Sequence, residues 1–108
     1  MTAPRTAVAP LERRALATNA DAAALRREFR AWIGALTDAD TADDLSLAVY
    51  EALANVVDHA YHGREEPGPM TLSGIASCPF GSGRDLVITV SDEGSWRPCS
   101  DQIGRAHV

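Results

Sequence analysis

The sequence predicts an α+β domain built as a two-layer sandwich, with helices on one face of a mixed or antiparallel sheet. Three observations carry this expectation. The elements run strand, helix, helix, strand, strand and then a loop. The second helix is apolar around much of its circumference, so it needs a sheet to pack against. The run Leu86-Val87-Ile88-Thr89-Val90 is short and β-branched, as a buried strand requires.

Residues 1–10 read as a loose leader, small in side chain and punctuated by Pro4 and Pro10. The domain is expected over residues 11–108, opening with a short strand over 11–17. Asn19 or Asp21 can cap the first helix, because a short side-chain oxygen satisfies an orphan backbone N–H. That helix carries Leu25, Phe29, Trp32, Ile33 and Leu36 on one stripe, with Arg26, Arg27 and Arg30 on the other side. A basic cluster of this kind is usually a solvated face, and it also suits docking of an acidic partner. Thr41 and Asp44 approximate a capping box, so the second helix is expected over about 43–60. Leu45, Val49, Leu53, Val56 and Ala60 form its apolar stripe. Gly63 to Pro69 is a Gly- and Pro-rich break. Strands are expected over 70–78 and 86–91, joined by a hairpin loop over 79–85. After Asp92-Glu93-Gly94 the chain reads as irregular, with a turn at Gly104-Arg105-Ala106. No strand is expected beyond that point, so the domain reads as C-terminally incomplete.

Composition limits the function. The chain has 108 residues, 15 acidic and 10 basic, for a net charge of −5. One domain fits that length. An acidic balance argues against gripping a phosphate backbone, so no nucleic-acid partner is expected. Every basic residue is Arg; there is no lysine. Chemistry needing a side-chain amine is excluded: a Walker-type phosphate lysine, a Schiff base or a lysine general base. Cys78 and Cys99 are far apart, which disfavours a disulfide framework or a structural zinc site. No run approaches a membrane span, and residues 1–10 do not form a secretory signal, so a cytoplasmic location without membrane attachment is expected.

Two segments stand out. At 100° per residue, Glu51, Asn55, Asp58 and His62 fall within about 60° of one another, with His59 at the edge. The rest of that helix is apolar, so the stripe is either a solvated face or the wall of a cavity. Glu51 and Asn55 lie one turn apart and can reach a common object. An amide oxygen beside a carboxylate suits a hard cation carrying phosphate oxygens. His59-x-x-His62 has metal-ligand spacing, though no third ligand accompanies it. The second segment is Asp92-Glu93-Gly94, at the end of a predicted buried strand. It reads either as an ordinary turn or as a carboxylate facing a pocket, with a glycine allowing close approach. Gly81-Ser82-Gly83 lacks the ending of a phosphate loop and fits a hairpin instead.

Together these segments resemble the histidine-kinase-like ATPases, and most closely the anti-sigma-factor serine kinases among them. Glu51-x-x-x-Asn55 with Asp58-His59-Ala60-Tyr61 is similar to their N-box. Asp92-Glu93-Gly94 is similar to the first glycine box, and Gly104-Arg105-Ala106 to the opening of the second. The resemblance spans residues 11–108. It implies binding of ATP with Mg²⁺, with Asn55 holding the metal and Glu51 acting as general base toward a serine hydroxyl. Asp92 would accept from the adenine amine and Gly94 would shape the adenine pocket. Asp58 and His59 would support the lid side, and Gly104 would be a further cofactor-binding residue. Partners implied are a sigma factor and its antagonist protein, with a homodimer possible. The pattern departs from the family at Trp96 and Ala106, where glycines are common. Those departures sustain an alternative, a non-catalytic module that acts by sequestering a partner. Either way, the nucleotide reading requires Asn55 and Asp92 to converge on one hollow.

Overall fold

The computed structural model describes residues 9–77 and 85–94, and the backbone of 102–107. Cys78, Trp96, Cys99 and the loop with Gly81-Ser82-Gly83 lie outside the described residues. Four strands and two helices run in the order β1 (Leu11–Leu16), α1 (Asn19–Gly34), α2 (Ala39–Asn55), a π-helical turn (Val56–Ala60), β2 (Pro69–Ser77), β3 (Asp85–Asp92) and β4 (Gln102–His107). The sheet order is β1-β2-β3-β4. Every described pairing is antiparallel, so over these strands the sheet is not mixed. The connections explain why. Two helices between β1 and β2 bring the chain back reversed, and the later links are too short for a parallel crossover.

The expected turn at Gly104-Arg105-Ala106 is corrected. These residues lie in β4, with Gly104 opposite Ile88 and a register shift beside it. The segment has little strand character of its own. It pairs because β3 otherwise presents an open row of backbone donors and acceptors.

Both helix starts also differ from expectation. The N-cap of α1 is Thr18, whose Oγ1 accepts from the Asp21 N–H at 3.1 Å. Asp21 reaches back instead, and its Oδ2 accepts from the Leu16 N–H at 3.1 Å. The N-cap of α2 is Asp38, so the helix begins at Ala39, ahead of the expected start. Asp38 accepts from the Thr41 N–H at 2.8 Å and from the Thr41 hydroxyl at 3.0 Å. These bonds favour the ionised carboxyl and hold it below the usual carboxylate range.

The core lies between the helices and one face of the sheet. Met70, Leu72, Leu86, Ile88 and Val90 face Phe29, Ile33, Val49, Leu53 and Val56. Burial alternates along β2 and β3, as one covered face demands. Gly74 lets the sheet accept Trp32: a Cβ there would stand 2.8 Å from the indole ring. The indole N–H donates to the Ala9 carbonyl at 2.9 Å, which ties the residues just ahead of β1 to α1. Among the described residues, no helix is long and apolar enough to cross a membrane.

Candidate functional site

The apolar stripe of α2 (Ala42, Val49 and Leu53) is buried, which turns the Glu51 and Asn55 side out. Glu51 and Asn55 are both exposed, one turn apart. An amide and a carboxylate set so can approach one solvent-borne ion. After Asn55 the α-helical ladder widens into the π turn of Val56–Ala60, where Asp58 and His59 are exposed. The helical wheel fails here, because a π turn changes the rotation per residue. His62 lies past the helix and does not continue the stripe.

The π turn delivers Ala60 and Tyr61 to the end of β3. Gly94 packs directly on Ala60: a Cβ at Gly94 would stand 2.5 Å from the Ala60 carbonyl carbon and 2.8 Å from its Cβ. Only glycine leaves that space. The Tyr61 hydroxyl donates to the Pro69 carbonyl and accepts from the Glu93 N–H at 3.0 Å. Asp92 Oδ1 accepts from the Gly94 N–H at 2.8 Å, closing a tight turn. Glu93 itself pairs with Arg14 of β1 at 3.1 Å, with both side chains largely exposed.

The structure thus joins the segment that follows Asn55 to the segment that holds Asp92 and Gly94, although they are distant in the chain. Gly104 is not brought to that junction. Its partner Ile88 lies four residues back along β3 from Asp92, about 13 Å at strand rise. Sequence reasoning gave no role to Tyr61. The available signal was a tyrosine ending an apolar helix, since a buried phenol needs partners for its hydroxyl.

A groove of about 500 Å³ lies elsewhere, between α1 and α2, lined by Ala23, Arg26, Arg27, Arg30, Ala31 and Tyr50. The Arg26 guanidinium sits over the Tyr50 ring at 5.2 Å, and Arg30 pairs with Asp43 at 2.8 Å. The predicted basic face is therefore partly folded onto its neighbours. None of Glu51, Asn55, Asp92 or Gly94 lines this groove. Among the described residues, no cluster of three His, Cys, Asp or Glu side chains is placed to hold a metal ion.

No curated protein and no solved structure matches the chain. The family model described as the histidine kinase-like ATPase domain matches residues 15–107, from the end of β1 through β4. That span includes both helices, the π turn and the Asp92-Glu93-Gly94 junction, and it covers well over half of the chain. The chain belongs to the histidine kinase-like ATPase domain family.

Proposed function

We propose that the chain is an ATP-binding serine-protein kinase of the anti-sigma-factor type, which sequesters a sigma factor and phosphorylates its antagonist on serine. One observation carries the reading: Ala60 and Tyr61, at the end of the Glu51/Asn55 helix, pack on Glu93 and Gly94. A carboxylate suited to an adenine amine and an amide suited to Mg²⁺ are thereby held by one junction.

The residues present fit Mg²⁺-ATP. Gly94, with no side chain, packs against Ala60, which keeps the Asp92 turn beside the end of the Glu51/Asn55 helix. Mg²⁺ is commonly held by one or two protein ligands together with phosphate oxygens, so the Asn55 amide needs no ligand cluster around it. The bound ion offsets phosphate charge, which matters in a chain without lysine. Asn55 holds the metal through its side-chain oxygen. Asp92 accepts from the adenine amine, and Asp58 and His59 support the side of the site over the phosphates. Glu51 takes the serine proton as the serine oxygen bonds to the transferred phosphoryl group and ADP departs.

The test is Glu51→Ala. Calorimetry should show Mg²⁺-ATP binding retained, while phosphotransfer to the antagonist serine falls about 10²-fold or more. Turnover near wild type removes Glu51 from the role of base. A wild-type chain without saturable ATP binding removes the nucleotide reading.

A second reading, a non-catalytic module that sequesters its partner, is favoured by the groove between α1 and α2. Arg26, Arg27 and Arg30 gather there in a chain that is acidic overall, and they suit an acidic partner surface. On this reading, partner capture persists without nucleotide and is untouched by Glu51→Ala.

A further inference from the structure

Tyr61 is buried at the close of the π turn, with 7% of its surface exposed. Its ring fills the space over Gly68, where a Cβ would stand 2.5 Å from ring Cζ. The Arg64 guanidinium lies over the ring, 5.2 Å from its centroid. The ring is therefore held in place by packing, and its hydroxyl has a fixed position. That single oxygen joins three segments, because it sits on the turn after α2, donates to Pro69 at the start of β2 and accepts from the Glu93 N–H. Glu93 lies between the residue that holds the carboxylate and the glycine that turns the chain.

We propose that Tyr61 is a positioning residue for base recognition, whose hydroxyl fixes the Glu93 peptide and through it the direction of the Asp92 carboxylate. This inference rests on the nucleotide reading above. The chain of contacts is short. The hydroxyl sets the Glu93 N–H, the next N–H along is that of Gly94, and that N–H holds Asp92 Oδ1 at 2.8 Å. Glu93 is also tethered by its ion pair with Arg14. Both partners of that pair are about two-thirds exposed, and such pairs contribute little. The partly buried hydroxyl bond is the stronger restraint, since losing it leaves an N–H without its partner. A reader of an exocyclic amine depends on direction, so a small swing of the carboxylate costs discrimination more than it costs fold.

Tyr61→Phe keeps the ring and deletes the oxygen. The probes are Mg²⁺-ATP and Mg²⁺-ITP, which differ at the adenine amine, measured by calorimetry on the full chain. The expected result is ATP affinity about tenfold weaker with ITP affinity unchanged, a size in keeping with one lost hydrogen bond. A merely structural role would weaken both ligands alike and leave their ratio intact. In wild type, hydrogen exchange at the Glu93 amide should be slow, and in Tyr61→Phe it should be fast. That wild-type measurement decides the matter if the variant does not fold. A wild-type Glu93 amide that exchanges as freely as an exposed loop amide overturns the inference. So does wild-type preference for ATP that Tyr61→Phe retains, and in that case the nucleotide reading stands. Absence of ATP binding in wild type overturns both.

Discussion

Gly94→Ala tests the junction by wedging it open. The new Cβ would stand 2.5 Å from the Ala60 carbonyl carbon and 2.8 Å from the Ala60 Cβ. Carbon atoms rest at about 3.5–4.0 Å, so the two segments must part by about 1 Å. The obstacle is backbone in a helical turn, which cannot swing aside as the tip of a long side chain can. Overpacking of this kind costs about 1–3 kcal/mol. In a domain of this size each kcal/mol lowers Tm by about 4–8 °C, so a fall of about 10 °C is expected. The same parting draws the Gly94 N–H away from Asp92 Oδ1 and the Glu93 N–H away from Tyr61. The assay is thermal melting by far-UV circular dichroism, with and without Mg²⁺-ATP. A ligand that binds only the native state raises Tm. Wild type should show that rise and Gly94→Ala should lose most of it. A variant that melts within about 2 °C of wild type, with the same nucleotide-induced rise, refutes the reasoning.

Two further outcomes concern α2, the helix that carries Glu51 and Asn55. Ser46 is 2% exposed on the core side of α2, and its hydroxyl has no partner among the described residues, so Ser46→Ala should stabilise by about 1 kcal/mol. Urea unfolding checks this, and a lower midpoint would show that the hydroxyl is bonded. Asp38→Ala removes the N-cap of α2 and should lower Tm by a few degrees at neutral pH. Because the folded-state pKa of Asp38 is lowered, its contribution is full above the ordinary carboxylate range. It is lost as pH falls through the lowered value, so the two melting curves should converge in acid.

Much of this molecule was legible because its signals are periodic. The stripe of Leu25, Phe29 and Ile33 and the β-branched run from Leu86 to Val90 are dictated by burial on one face, and both lie where expected. What escaped was local or non-periodic. Thr18 and Asp38 cap the helices because each places an oxygen against a specific N–H, yet several nearby Asp, Asn and Thr residues could have served on composition alone. β4 escaped because its pairing depends on the open edge of β3 rather than on its own side chains. The site divides in the same way. Glu51 and Asn55 follow the regular helix and were placed by counting, whereas Asp58 and His62 were placed by a wheel that assumes 100° per residue. The π turn from Val56 to Ala60 breaks that assumption by about one residue, or about 100° of rotation. The departure falls just before Tyr61, the residue whose hydroxyl binds the Glu93 peptide. A method that averages over helical turns cannot register a one-residue irregularity, and here that irregularity lies at the place where the two distant segments meet.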